Sequence, residues 1–422
     1  MKMLSRLVAG VFALIVCALY AGPLAAAAPP IKIGFGMSLS GPLAGGGKSA
    51  LLAYKVWQKE INAHGGLLGR KVEFVYYDDQ TNPALVPSIY SKLLDVDKVD
   101  IVISGYGTGP VEAALPVVIA HKRTFLALFA LDANGKFKYK RYFTMEPSGP
   151  HPGLGQSKAF FKLASGLSPK PKTIAIVGAD NEYAQHAIVA ARKLAKKDGF
   201  KVVYDEAYPP NTVDFTSIVR NIKVLHPDLV FISSYPPDSA GMLRAIYEVG
   251  LTAKMLGGAM VGLQFAALEK EFGCQLNGIV DFDNYAPERT MQFPGVAAFL
   301  KKYRAQAAAA GVDPLGLYLP PYAYAEMQIL AQTVKAVHGF NDAKMAAYLH
   351  KTTFKTVVGD VHWGPYGEWD PGRQLTVQYR GIKDHDVWQF AKPGTRVILD
   401  PPQLKSGSLK VPFALTKGCT SH

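Results

Sequence analysis

Apolar, β-rich runs alternate with amphipathic stretches along the first 130 or so residues. The apolar runs lie at 31–35, 72–76, 100–103 and 124–128, and helical periodicity fills 46–64, 83–95 and 110–121 between them. Near-continuous apolar runs predict strands covered on both faces, which is the parallel arrangement. The same series then returns. Strands are predicted at 173–177, 201–204, 229–232 and 254–256, and helices at 182–198, 214–224 and 239–249. The offset between corresponding strands, about 130–140 residues, is far longer than the period of a short repeat array. The pattern therefore predicts an α/β protein with two similar, doubly wound, Rossmann-like lobes rather than one long sheet.

Three more helices are predicted at 294–310, 322–338 and 341–350. After them, Gly359, Gly364, Gly367 and Gly372 punctuate a segment that contains Trp363 and Trp369. Such spacing predicts turns between short antiparallel strands, among them 376–379 and 387–390. Residues 399–422 contain Pro401-Pro402, and no acidic residue follows Asp400, so they read as a surface tail.

Residues 1–27 read as a targeting segment. Lys2 and Arg6 precede an apolar run at 7–21, and Ala25-Ala26-Ala27 offers a cleavage site. A membrane anchor is the competing reading, but the run is short and Gly22-Pro23 ends it at once. Cys17 does not make a lipoprotein signal, because Val16 precedes it. No internal apolar run approaches the ~20 residues a bilayer span needs. The chain is therefore expected to be cleaved and to work in the periplasm.

At 422 residues, 49% hydrophobic and 19% charged, the chain has the makeup of a folded protein of two or three domains. The formal charge is +13, and losing Lys2 and Arg6 lowers it to +11. The basic residues are dispersed and form no dense run, which argues against a nucleic-acid partner. Three cysteines exclude a disulfide scaffold or a multi-cysteine metal module. Cys274 and Cys419 survive cleavage into an oxidising compartment, and the sequence leaves their pairing open.

In open parallel sheets a ligand binds beyond the carboxyl ends of the strands. The loops there, at 36–47, 78–82, 105–109, 129–134, 178–183, 233–239 and 257–263, are rich in Gly, Ser, Thr and Tyr. Two such sets facing each other would enclose one small molecule. The run Gly41-Pro-Leu-Ala-Gly-Gly-Gly-Lys-Ser49 misses the phosphate-loop spacing by one residue and carries a proline inside it. It reads instead as a loop that opens a helix toward a polar or anionic group. Asp78-Asp79 suggests a catalytic dyad, but adjacent residues on an extended chain point opposite ways. The pair reads as carboxylates that shape a loop. No G-x-S-x-G, H-E-x-x-H or C-x-x-C motif occurs and the ten histidines are scattered, so neither catalysis nor a metal or cofactor is expected.

The stretch Ile33-Gly-Phe-Gly-Met-Ser-Leu-Ser-Gly-Pro-Leu-Ala44 is followed by Glu60-Ile-Asn-Ala-His-Gly-Gly-Leu-Leu-Gly-Arg-Lys71 and Tyr77-Asp-Asp-Gln-Thr-Asn-Pro83. Further matches are Phe200, Asp214-Phe-Thr216, Pro227-Asp-Leu-Val-Phe231, Ala245-Ile-Tyr-Glu-Val-Gly250 and Gly359-Asp-Val-His-Trp363. Over residues 31–392 or so, the chain resembles the branched-chain amino-acid type of periplasmic binding protein, the receptor of an ABC importer. The resemblance implies two lobes joined by three hinge crossings, with 284–355 returning to lobe 1, so that residues 28–146 with 284–356 form lobe 1 and 147–283 with 357–398 form lobe 2. It also implies a monomer that delivers a small solute to membrane permease and ATPase subunits.

By the same resemblance, Thr108 and Gly109 would hold a ligand carboxylate, and Ala130, Leu131 and Asp132 stand where a small residue and a hydroxyl are usual. Tyr183 and Tyr235 match positions of cleft aromatics, and Tyr106 is a further aromatic candidate. Ala259 replaces the Glu that pairs with an amino-acid ammonium, and Gly46 replaces a bulkier residue, leaving room for a larger ligand. An aromatic or other carboxylate without an α-amine is the first expectation. A neutral amino acid, its ammonium met by Asp132, is the second. A ligand-sensing regulator or receptor of the same fold is the alternative function.

Overall fold

The computed structural model describes residues 28–416, 418 and 419. The targeting segment read at 1–27 lies outside these residues.

The chain opens with β1 (Ile31–Met37) and helix α1 (Ala44–Ala63). Next come β2 (Val72–Asp78), α2 (Val86–Ser91), β3 (Ile101–Val102), α3 (Thr108–Ala120), β4 (Phe125–Ala127) and β5 (Tyr142–Thr144). All pairings are parallel, and bridges Ile103–Leu126 and Tyr106–Phe129 join the two sets of strands into the order 2-1-3-4-5. β1 is central and buried along almost its whole length, as its run of apolar residues and glycines requires. Phe35 on it stacks on Tyr76 at 5.5 Å and meets Tyr54 of α1 edge-on at 5.3 Å.

The second series is α4 (Gly155–Ser165), β6 (Thr173–Ala179), α5 (Glu182–Asp198), β7 (Lys201–Tyr208), α6 (Thr216–Val224), β8 (Leu229–Ser234), α7 (Pro236–Val249), β9 (Met255–Met260), α8 (Ala266–Phe272) and β10 (Val280–Asp283). Its parallel order, 7-6-8-9-10, repeats the topology of lobe 1. The duplication expected from the pattern is therefore present at the level of strand order.

Helices α9 (Val296–Ala310), α10 (Pro320–Val337) and α11 (Asp342–Lys351) follow. α9 and α10 pack back on α1, where the Tyr54 hydroxyl donates to Glu326 at 2.5 Å in a fully buried contact. Then come the hairpin β11 (Phe354–Thr356) with β12 (Gly359–Val361), and β13 (Leu375–Tyr379) and β14 (Arg396–Asp400), which extend the lobe 2 sheet antiparallel beyond β10. The chain passes from the first sheet to the second between β5 and α4, leaves it between β10 and α9, and returns to it between β12 and β13, so the hairpin β11–β12 spans the boundary expected at 356/357. These crossings are tied together: Arg373 and Gln374 both donate their amides to the Pro147 carbonyl, and the Gln374 side chain donates to Asn284 at 2.7 Å.

Two expectations change. The stretch 387–390 is a 3-10 turn, Val387–Ala391, not a strand. Its N-cap Asp386 accepts from the Trp388 amide, which starts a turn instead of an extended run. The described residues beyond 399 are packed and not loose. Leu404 and Phe413 are buried, Phe413 bridges Ala253, and Cys274 and Cys419 are joined in a disulfide that closes 145 residues. Two apolar anchors at a spacing of nine residues are too sparse to show as periodicity.

One buried ion group holds the far edge of lobe 2. Arg396 of β14 pairs with Glu269 of α8 and, at 3.1 Å, with Asp283 of β10, and all three are fully buried. Their mutual attraction offsets part of a large desolvation cost, although Glu269 Oε2 and Arg396 Nε are buried without a hydrogen-bond partner.

Candidate ligand-binding site between the lobes

The loops at the carboxyl ends of both sheets face one another. Asp78 and Asp79 shape the lobe 1 rim. Asp78 accepts from the amides of Leu39, Ser40 and Gln80, and Asp79 accepts from the Ser38 hydroxyl at 2.7 Å and the Thr81 amide. Burial raises the Asp79 carboxyl above its ordinary range, against the lowering effect of these bonds. The Oδ1 atom of each carboxylate serves the loop, so the adjacent pair shapes it.

The glycine run after β1 is also explained by packing. A Cβ on Gly47 would lie 2.0 Å from the Ser38 carbonyl oxygen, so the first turn of α1 can approach the strand end only with glycine there. At Gly46 a Cβ would lie 2.6 Å from the Tyr106 ring and 2.8 Å from Leu319. The room expected beside Gly46 is thus taken by Tyr106 and Leu319 and is not left for a ligand.

Thr108 begins α3 and is buried. Its hydroxyl accepts from the Leu131 amide at 3.0 Å, which pins the 130–132 loop to the start of the helix. Gly109 faces lobe 2, where a Cβ would sit 2.7 Å from a carboxylate oxygen of Glu182. Tyr183, next along α5, is buried. Its hydroxyl donates to Gln156 at 2.5 Å and lies 3.1 Å from the Ala259 carbonyl oxygen. The Tyr235 ring stacks on Tyr183 with centroids 5.5 Å apart and planes 14° from parallel. Tyr235 also lines a cavity of about 840 Å³ between the lobes, with Pro42 and Pro110 on one side and Asn181, Glu182 and Asp238 on the other.

Behind this wall the space between the lobes is aromatic. Tyr318 meets Tyr106, Phe129, Phe265 and Phe282 edge-on, with centroids 5.2–6.5 Å apart. Asp132 lies apart from this group. Its carboxylate sits against Gly135 and Gly153 and lines an outer cavity of about 650 Å³ with Glu112, His186 and Lys193. Ala130 lies beside it, lining a smaller cavity of about 180 Å³. Of the residues singled out from the sequence, Tyr106, Thr108, Gly109, Leu131, Tyr183, Tyr235 and Ala259 are therefore at the inner faces of the lobes, and Asp132 is at their rim.

Polar contacts among the described residues also hold the lobes face to face. Glu112 of α3 bonds His186 of α5 at 2.8 Å and also Lys136 at 2.8 Å. Burial alone would raise the Glu112 carboxyl, but these two partners outweigh it and hold it below its ordinary range. On the other side, Asp313 accepts from the Ala266 amide at 2.7 Å.

Sequence reading does not single out Glu146. It stands in Met145-Glu-Pro-Ser-Gly-Pro150, a composition that predicts an exposed turn. In the fold this segment is the first crossing, and Glu146 is 3% exposed. Burial pushes its carboxyl up to about 7, against the opposing effect of Gln156 and Gln374.

A family model described as periplasmic binding protein matches residues 30–375. The chain belongs to the periplasmic binding protein family. Among its relatives, the Leu/Ile/Val/Thr-binding protein of Salmonella typhimurium is 25% identical over 345 residues, covering 81% of this chain and 89% of that one. A Leu/Ile/Val-binding protein homolog of Brucella abortus is 27% identical over 340 residues, covering 78% and 83%. Among solved structures, a branched-chain amino-acid transporter substrate-binding protein of Streptococcus pneumoniae, in complex with isoleucine, superposes with a TM-score of 0.72 at 19% identity, covering 88% and 100%. A solute-binding protein of an ABC transporter from R. palustris, in complex with 4-hydroxybenzoate, gives 0.71 at 20% identity, covering 92% and 98%. This periplasmic binding protein is thus a solute-binding protein and not an enzyme, with the branched-chain type of fold that its loops resemble.

Proposed function

We propose that this chain is the extracytoplasmic receptor of an ABC uptake system, and that it takes a small aromatic carboxylate into the cleft between its lobes. The observation that carries this reading is the stacked pair Tyr183–Tyr235 on the wall of the interlobe cavity, together with Ala259 where a carboxylate would be needed to pair an α-ammonium. Flat rings favour a flat guest, and an ammonium buried without a counter-charge costs several kcal/mol. Thr108, Gly109 and the amides that open α3 would hold the anionic group. Hinge rotation would close the lobes on the guest, and the closed form would engage the permease and ATPase subunits. The chain would act as an exported monomer in the periplasm, with no cofactor and no nucleic-acid partner. The same two-lobed receptor serving a sensor is the alternative.

A neutral amino acid is the second reading. It is favoured by Glu182, whose carboxylate faces Gly109 across the cleft. That geometry sets a negative charge beside the amides that would hold an α-carboxylate, as a zwitterion requires. A thermal-shift screen of leucine-like amino acids, aromatic acids and amides separates the two, since a ligand that binds only the folded state raises the melting temperature. Stabilisation by benzoate-type acids with none by leucine is the expected result; the reverse overturns the aromatic assignment.

A further inference from the structure

The three crossings bring one polar side chain each to a single buried point. Glu146 comes from the first, Asn284 from the second and Gln374 from the third. Gln374 donates to Asn284 at 2.7 Å, and the Gln156 and Gln374 side chains lie close enough to Glu146 to favour its charged form. Gln156 in turn accepts from Tyr183, so a continuous polar chain runs from the stacked wall of the cleft to the hinge. Three buried atoms in this knot have no partner: Glu146 Oε1, Gln374 Oε1 and Asn284 Nδ2. Buried polar atoms are seldom left unpaired, and each one left so is costly. The balance here is two spare acceptors and one spare donor. The titratable side chains that feel the Glu146 charge are Tyr106, Tyr142, Tyr183, Tyr318 and Tyr322, whose hydroxyls burial holds in the neutral form. Glu146 is the group in this neighbourhood whose charge changes near neutrality.

We infer that Glu146, seated by Gln156 and Gln374 at the hinge end of the cleft, binds a hydrogen-bond donor on the solute, so that the chain selects aromatic acids bearing a hydroxyl or amino group over the bare acid. This rests on the reading of the interlobe cleft as the solute site and adds which solutes within that class are preferred. The ring would lie along the Tyr183–Tyr235 wall of the cleft, with its donor reaching Glu146 Oε1. A site built to hydrogen-bond a ligand O–H or N–H rejects the analogue that lacks it, because its own buried acceptor is then unpaired.

The test is calorimetric titration of the mature protein with 4-hydroxybenzoate, 4-aminobenzoate and benzoate. The native chain is expected to bind the two donor-bearing acids at least tenfold more tightly than benzoate. Glu146→Met, which keeps the bulk and removes the acceptor, should bring that ratio below about threefold. Glu146→Gln keeps an acceptor but cannot ionise. It should retain part of the preference and lose the rise in 4-hydroxybenzoate affinity between pH 6 and pH 8 that is expected of the native chain as Glu146 gains charge. Should the methionine variant fail to fold, the pH profile of the glutamine variant decides alone. An unchanged preference in Glu146→Met, or an unchanged pH profile in Glu146→Gln, overturns the inference and leaves the cleft reading standing. Failure of all three acids to bind, or undiminished binding by Tyr235→Ala, overturns the cleft reading and this inference with it.

Discussion

Tyr235 lies flat against Tyr183, with ring centroids 5.5 Å apart, and of the two Tyr235 is the one that lines the interlobe cavity. Tyr183 is locked from behind by Gln156 and the Ala259 carbonyl. The outer ring therefore rests on a fixed one. Replacing Tyr235 with Ala should weaken the best-binding solute at least tenfold, while Tyr235→Phe should lose less than about threefold, since stacking and not the hydroxyl is the main contribution. Titration calorimetry of both variants measures this, and equal losses would mean that the hydroxyl, not the ring face, makes the contact.

The Glu112–His186 bond joins the lobes at a partly buried rim. Glu112→Gln should loosen closure without touching the aromatic wall. Exposed and half-exposed pairs of this kind contribute about 1 kcal/mol or less, so affinity should fall about two- to fivefold. Small-angle scattering of the liganded form should show a larger radius of gyration than that of the native chain. An unchanged radius and affinity would mean that the pair does not hold the closed form.

Arg396→Ala leaves Glu269 and Asp283 buried without a counter-charge. A loss of about 3–5 kcal/mol in unfolding free energy is expected, measured by urea denaturation at neutral pH. Replacing all three by apolar residues of similar volume should recover most of it. A loss below 1 kcal/mol in the single variant would show that the edge of the sheet relaxes to admit water.

Burial pushes the Glu326 carboxyl up to about 8, while its unfolded value is near 4.5. A folded value above the unfolded one means that the native state holds the proton more tightly. The contribution of Glu326 to stability is then full below about pH 4.5 and is lost as pH rises through 8. Glu326→Gln should abolish that component. The melting-temperature difference between native chain and variant should therefore shrink or reverse from pH 5 to pH 9, and a constant difference would show that Glu326 does not titrate in this range.

Much of the fold is legible because it rests on long apolar runs. The strand 229–232 and the helix 182–198 stand within two residues of where periodicity puts them. β10 is hidden because its sequence is Val-Asp-Phe-Asp, and both aspartates are buried. Asp283 is tolerated through the amides of Asn284 and Tyr285 and through Arg396, which is 113 residues away. β14 is hidden for the same reason. Glu146 is illegible in another way, since local composition says turn and only the convergence of three distant crossings buries it. Gly46 shows the opposite error: a missing side chain suggests space, but Tyr106 of the next loop fills it.

The disulfide to Cys274 fastens residue 419 to one lobe only, and Lys410 is held to the same sheet by the amide side chain of Gln378. The last stretch must travel as cargo of lobe 2 whenever the halves swing. A fluorophore on exposed Lys410 and a second on the outer face of α1 would thus form a ruler whose length reports opening alone, undisturbed by the wandering of a loose end.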